Sequence, residues 1–436
     1  MLKVLKFGGS SMADEAQFAK VRSIVEADPG RRVVVVSAAG KRFKNDHKIT
    51  DLLYLCHAHL QYGVSCDGVF DMVRSRYLEI RDALGLSTPL EQEFDALRAK
   101  MEKGISADEL VSRGEYFAAR LMADYLGFDF LDSTLWLKFR LDGTVDQDQS
   151  YENLRRAASG RRVVIPGFYG VMPDGSIHTF SRGGSDITGA LAAAALDADV
   201  YENWTDVSGI LMADPRIVDN PEPIKKITYA ELRELAFMGA TVLHEESVQP
   251  VREKGIPLNI RNTNRPQDPG TMIVGNIDRE NSDDRFITGI AGRKNFTIIT
   301  LQKHDMHTSH TLRQALEVFE RYHAPIEHIA LGLDSFALVT SSAGLGESIY
   351  QLMGDLQKAC HPDDINQQDD IALVAAVGRK MPFRPGTSGK LFKALGDAGV
   401  NIRTIAQGTD ELSIIVGIDN KDYETAIRVL YDGFAG

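Results

Sequence analysis

Cysteine is scarce in this 436-residue chain: Cys56, Cys66 and Cys360 are the only three, and no two of them stand in CxxC spacing. That excludes a disulfide framework and a cysteine-built metal site, and it points to a reducing compartment, the cytoplasm. Apolar residues make up 43% of the chain, yet no run reaches about 18, so no membrane-spanning helix is expected. The N-terminus enters VLKF at once, with no apolar signal segment ahead of a cleavage site. Positive charge is also short: 49 Lys and Arg against 61 Asp and Glu leave a net charge of −12. A general nucleic-acid binder is excluded by that balance. Two phosphate-binding signatures are missing as well. GxGxxG does not occur, and GTSGKL at 386–391 departs from GxxxxGK[ST] in spacing and in its final Leu. An acidic chain without these signatures must hold any phosphate with isolated cations beside Gly-rich turns.

Such turns are present. KFGGSS, residues 6–11, follows the apolar strand VLKF and precedes a helical stretch in which Phe18, Val21 and Val25 recur at helical intervals. Ser11 and Asp14 have capping-box spacing there. A second turn, SRGGSD at 181–186, again joins a cation, two glycines, a hydroxyl and a carboxylate at a helix start. WTDVSGI at 204–210, with DPR at 214–216, reads as a loop at the carboxyl end of a strand, where ligands bind in parallel sheets.

Residues 1–283 alternate strands and helices, and VVVVS at 33–37 is a run buried on both faces. A mainly parallel α/β sheet covered by helices on both faces follows. Residues 52–126 lack strand signals and read as a helical insertion. From 284 the pattern becomes strand, helix, strand, strand, helix, strand, and it repeats. The copies, about 296–366 and 371–436, read as two ferredoxin-like βαββαβ units in tandem.

The motifs KFGGSS, SRGE (112–115), SRGGSD, WTDVSGI with DPR, and GATVLH (239–244) occur in the order in which they resemble aspartate kinases of the amino-acid-kinase fold. The C-terminal duplication resembles the paired ACT domains of those enzymes. The resemblance implies transfer of the ATP γ-phosphoryl group to L-aspartate, giving 4-phospho-L-aspartate for lysine, threonine and methionine synthesis. It gives Lys6 and Asp186 catalytic roles. Gly8, Gly9, Ser10, Thr205, Asp206, Leu211 and Arg216 would join Lys6 at the nucleotide, with Mg2+ bridging phosphates and no dedicated protein metal site. Thr50, Glu115, Arg182 and Ser185 would hold aspartate. Met306, Ser309 and Glu327 would meet an amino-acid effector, lysine or threonine, and the ACT units would join chains into a homodimer or larger assembly. No nucleic-acid or membrane partner is implied.

Two departures stand out. Leu211 replaces a Tyr common near the nucleotide, and Thr241 replaces a Lys common near the phosphates, for which Lys225 or Lys226 is a candidate substitute. The loop HDMHTSHTL at 304–312 departs from lysine-sensitive relatives at Thr308. No homoserine dehydrogenase domain is expected after Gly436. The competing readings are a kinase for glutamate or carbamate, opposed by the paired ACT units, and a silent amino-acid sensor, opposed by intact Lys6, Glu115 and Asp186.

Overall fold

The computed structural model describes residues 1–181, 183–240, 243, 245–277, 287–304, 308–408 and 410–435. The chain forms two compact units: Met1–Ile210 with Lys225–Tyr229 and Val242–Ile277, and Leu211–Ile224 with Ala230–Thr241 and Asp278–Gly436.

The chain begins with β1 (Lys3–Phe7), α1 (Glu15–Glu26), β2 (Arg31–Val36), α2 (Ile49–Gln61), α3 (Asp67–Ala83), α4 (Leu90–Lys103) and α5 (Ala107–Leu126). It continues through β3 (Asp129–Phe130), α6 (Ser133–Trp136), α7 (Gln147–Ala158), β4 (Val163–Pro166), β5 (Tyr169–Val171) and β6 (Ile177–Thr179). Then come α8 (Gly184–Ala195), β7 (Val200–Thr205), β8 (Lys226–Thr228), α9 (Tyr229–Phe237), α10 (Glu245–Glu253), β9 (Leu258–Asn262) and β10 (Thr271–Val274).

One eight-stranded sheet carries the first unit, in the order β3-β4-β2-β1-β7-β9-β10-β8. Only the β9–β10 pair is antiparallel. The Val-rich β2 lies between β1 and β4 and is buried nearly throughout, which is why its sequence does not alternate. Alanines let α8 lie close on the sheet. At Gly189 an added Cβ would stand 2.4 Å from the Tyr201 hydroxyl, so this crossing requires glycine. The helical insertion is α2–α5. Its core holds Phe70, Tyr77, Phe94 and Phe117, with Phe94 stacked on Phe117 at 4.1 Å between ring centroids. Ser106 caps α5 by accepting the Glu109 N–H, and Gly127 ends it in the left-handed region at φ 65°.

The capping of α1 differs from the sequence reading. Asp14 is the cap and accepts the Gln17 N–H at 2.9 Å. Residues Gly9–Met12 form a separate 3-10 turn, and the Ser11 hydroxyl inside it bonds the Thr263 hydroxyl at 2.8 Å. The turn leaving β1 delays the helix by about one turn.

In the second unit the elements are β11 (Gly289–Gln302), α11 (Thr308–Arg321), β12 (Ile326–Leu331), β13 (Ser335–Ser341), α12 (Ser342–Leu345) and α13 (Ile349–Cys360). They are followed by β14 (Asp364–Val377), α14 (Thr387–Asp397), β15 (Ile402–Gln407), β16 (Ser413–Asp419) and α15 (Tyr423–Ala435). The sheet order is β12-β13-β11-β14-β16-β15. The duplication is interleaved rather than tandem. The late half of β11, 296–302, pairs with β13 and with the early half of β14. The early half, Gly289–Arg293, pairs with Val377–Leu373 and so supplies the fourth strand of the second copy. The two apolar cores agree with this division. Ile290 packs with Val374, Leu391, Val416 and Leu430, while Ile299 packs with Phe319, Leu338 and Leu352.

Candidate active site

Chain order reverses at β1. Strands β2 and β4 lie on one side of it, and β7 and β9 on the other. Loops leaving the carboxyl ends of β1 and β7 therefore diverge and open a crevice. Lys6 and Asn203 are register partners across that boundary.

Lys6 is buried, and its Nζ meets Asp186 Oδ1 at 2.7 Å. Asp186 stands in the first turn of α8, where the helix dipole favours a carboxylate. It is held from two further sides. Asn203 Nδ2 donates to its Oδ1 at 2.8 Å, and the Tyr201 hydroxyl donates to its backbone carbonyl at 3.1 Å. Asn203 Oδ1 is buried with no hydrogen-bond partner, so the crevice carries an unused acceptor beside the ion pair. Asn203 was missed in the sequence. Its only signal there is a polar residue inside an otherwise buried strand.

The glycine turn has two neighbours. A Cβ at Gly8 would stand 3.4 Å from Lys6 Nζ. The Gly8 N–H is spent on the Trp204 carbonyl at 3.1 Å, so it is not a phosphate donor. Gly9 faces Gly40: the Gly40 N–H donates to the Gly9 carbonyl at 2.8 Å, and a Cβ at Gly40 would meet the Gly9 carbonyl carbon at 2.6 Å. Part of the reason for glycine here is thus the approach of one backbone to another. Ser10 is exposed at the start of the 3-10 turn.

The loop after β2 connects this turn to Glu115. A Cβ at Gly9 would lie 3.1 Å from the Ala38 carbonyl. The Ala38 backbone also borders Glu115, where it favours the charged form of the carboxyl. The next carbonyl, Ala39, accepts the Ile49 N–H at 3.1 Å, which seats half-buried Thr50 in the first turn of α2. Lys48, not Thr50, occupies the cap position of that helix. Glu115 is in the interior of α5, not at a solvated helix start. It is 4% exposed, and its Oε2 is buried without a partner.

Burial pushes the Glu115 carboxyl up to about 8, against the ordinary 4.5. The unfolded chain ionises this group above about 4.5, while the fold keeps it neutral to about 8. Its contribution to stability is therefore complete below pH 4.5 and is lost as pH rises through 8. Glu115→Gln removes the titration. Denaturation followed from pH 4 to pH 9 is expected to show the wild type losing stability relative to the variant as pH increases. Parallel profiles would remove Glu115 as a buried titrating group.

The remaining candidates are placed as follows. Ser185 is buried at the start of α8, and its Oγ would lie 2.6 Å from a Cβ at Gly167. Beside it Phe168 adopts φ 79°, with its N–H held by the Thr188 hydroxyl at 3.0 Å. Backbone strain at a non-glycine residue in this loop was not visible in the sequence. Thr205 ends β7, and its hydroxyl meets exposed Asp206 at 3.2 Å. Leu211 and Arg216 belong to the segment Leu211–Ile224 of the second unit, where Leu211 bridges Pro223 and exposed Arg216 pairs with Asp214 at 2.6 Å. Lys226 lies on edge strand β8, four places from β1, or about 19 Å at about 4.8 Å per strand. Arg182, Thr241 and Met306 lie outside the described residues. Ser309 is exposed near the start of α11. Glu327, on β12, already faces Arg293 Nη1 at 3.4 Å, which offsets its negative charge.

Residues 1–262 match the amino acid kinase family. The chain belongs to that family, among its aspartokinases. Residues 374–434 match an ACT domain. Aspartokinase 3 of Bacillus subtilis (strain 168) is 34% identical, with 99% of this chain and 98% of that protein aligned. The crystal structure of Clostridium acetobutylicum aspartate kinase is similar at a TM-score of 0.92 and 44% identity, covering 99% of both chains. E. coli aspartokinase III with aspartate and ADP matches at a TM-score of 0.74 and 26% identity over 99% of both chains. Its complex with lysine and aspartate matches at 0.76 and 26% identity over 100% of both. Within this aspartokinase, Lys6, Asp186 and Asn203 gather at one crevice, and the Gly9–Gly40 contact ties it to the loop that reaches Glu115. No helix of the described residues is long and apolar enough to cross a membrane.

Proposed function

We propose that the chain transfers the γ-phosphoryl group of ATP to the β-carboxylate of L-aspartate, releasing ADP and 4-phospho-L-aspartate. The observation that carries this reading is buried Lys6, held by Asp186 beside the Gly8–Gly9 turn at the β1/β7 crevice. The bond from the γ-phosphorus to the β-phosphate oxygen breaks, and a bond to a carboxylate oxygen forms. The acceptor is already ionised at neutral pH, so no strong general base is needed. The protein must position the two reactants and neutralise charge on the moving phosphoryl group. Lys6 is the preorganised cation for that task, and Asp186 and Asn203 fix its direction. Ser10, Thr205 and Asp206 flank the nucleotide.

Glu115 with its unpartnered Oε2 receives the substrate ammonium, Thr50 stands beside it, and Arg182 and Ser185 take the carboxylates. Among the described residues no group of three His, Cys, Asp or Glu is arranged to hold a metal ion. Mg2+ fits a site of this kind as a companion of the nucleotide, held by phosphate oxygens and water with Asp186 as the protein carboxylate. It would offset phosphate charge.

The test is ATP turnover with aspartate, with the acyl phosphate trapped as hydroxamate. Turnover without aspartate dependence would overturn the reading. Regulation belongs to the second unit. Its edge strand β12 exposes Ile329 and Leu331, apolar positions suited to pairing with a second chain. Lysine or threonine is the proposed effector, stabilising a less active arrangement by binding it more tightly. Full-length protein is expected to sediment as a dimer or larger species and to bind one of these amino acids at millimolar concentration in calorimetry. A monomer that binds neither would exclude this regulation.

A further inference from the structure

The loop between β2 and α2, GKRFKNDHK at 40–48, carries Lys41, Arg42, Lys44 and Lys48 in an acidic chain. It is tightly held for an exposed loop. Asp46 is buried and accepts from Arg76 Nη2 at 2.9 and 2.7 Å, from Arg42 Nε at 3.0 Å and from the Arg42 N–H at 2.9 Å. Arg76 is itself buried on α3, and its Nη1 donates to the Gly40 carbonyl at 3.1 Å. One guanidinium thus fixes both ends of the loop. Gly40 is pressed by its other side onto Gly9, with the 2.8 Å hydrogen bond described above.

The two-residue turn Gly8–Gly9 is therefore flanked twice by cation-bearing segments. Gly8 faces Lys6 Nζ, and Gly9 faces Gly40, whose next residue is Lys41. Arg42 is occupied by Asp46 and Glu79. Lys41 is exposed and takes part in no ion pair among the described residues. A buried Asp–Arg pair is costly to desolvate, and its retention is best accounted for by the geometry it enforces.

We propose that Lys41 is a second phosphate-binding cation of the site, and that Asp46 and Arg76 are positioning residues that deliver it to the Gly9 side of the turn. This rests on the reading of the Gly8–Gly9 turn as the nucleotide phosphate site. Lys6 and Lys41 then take the phosphate chain from opposite sides, so a protein of net charge −12 holds a polyanion with two local cations.

The experiment measures ADP binding by calorimetry and steady-state kinetics on the full chain. Lys41→Ala is expected to weaken ADP and raise KM for ATP about tenfold or more, as loss of a charge-assisted contact does. KM for aspartate should stay within twofold. The salt dependence of ADP affinity should become shallower, and Lys41→Arg should restore most of the affinity. Asp46→Leu/Arg76→Met, which removes the buried pair and leaves Arg42 with Glu79, should weaken ADP to a similar degree. Adding Lys41→Ala to that double variant should then cost little more, the sign of one coupled device. ADP affinity in Lys41→Ala within twofold of wild type would overturn the proposal. Loss of ADP affinity in Lys41→Ala, in a protein whose turnover ignores aspartate, would uphold the cation while rejecting the substrate reading. Normal aspartate kinase activity with an unaffected Lys41→Ala would do the reverse.

Discussion

Lys6→Ala is expected to lower kcat by about two orders of magnitude or more, the usual consequence of removing a preorganised charge stabiliser. The fold should survive, because the residue left behind is not stranded. Asp186 keeps the Asn203 amide at 2.8 Å, and its side chain retains 20% exposure to water. Neighbouring Phe7 and Trp204 stack at 6.0 Å between ring centroids and hold β1 to β7 without help from the ammonium. Circular dichroism and thermal denaturation of the purified variant should stay near wild type while single-turnover phosphoryl transfer falls. If KM for ATP rises but kcat does not change, Lys6 binds ground state and transition state alike, and its assigned role is wrong.

Aspartate is expected to exceed glutamate in kcat/KM by about 10²-fold. The reason is the rigidity of the groups assigned to the acceptor. Glu115 is locked in α5 by burial, and Thr50 is locked in α2 through the Ile49–Ala39 hydrogen bond. Neither can retreat to accommodate a longer side chain. With the ammonium fixed, an added methylene moves the acceptor oxygen by about 1 Å, and displacement on that scale costs about 10²-fold in rate. Competition between the two acids in one reaction mixture gives the ratio directly. A ratio near one would dismiss the Thr50–Glu115 pocket. Because Glu115 must ionise to hold an ammonium, aspartate uptake at pH 7 should also release a proton, visible as a buffer-dependent heat.

The Lys6 and Asp186 pair was legible in the sequence because each half carries local marks: a cation at a strand end before two glycines, and a carboxylate at a helix start after two glycines. Asn203 carries no such mark. Its meaning depends on β7 lying beside β1 with Asn203 in register with Lys6, a pairing of residues almost 200 positions apart that no local pattern encodes. Gly9 is instructive in another way. Its glycine was legible, but its reason was read only as room for phosphate, since the opposing Gly40 belongs to a different loop. The depth of Glu115 was hidden for the same cause. SRGE shows a charge on a helix, while its burial comes from Ala38 and the packing of α2 against α5. Strands and helices of the regulatory half were legible from periodicity, whereas partnership between strands was not.

The interleaving of that half has a consequence for the order in which it can be assembled. Gly289 pairs with Val377, a separation of 88 residues, and the whole first copy lies in between. Its own contacts are nearer in sequence, so it closes first, and the entropy of joining the distant strands then falls because the folded copy shortens the loop between them. The second copy nucleates on that scaffold and comes late, both on the ribosome and on refolding. Any fragment that starts at residue 296 loses Gly289–Arg293 and leaves the edge of Leu373–Val377 unpaired. Those five residues are almost wholly apolar and buried in the intact chain, and a bare edge of that composition invites pairing with other chains. The regulatory half is therefore separable only as a piece that begins before the motif at which its sequence repeat starts.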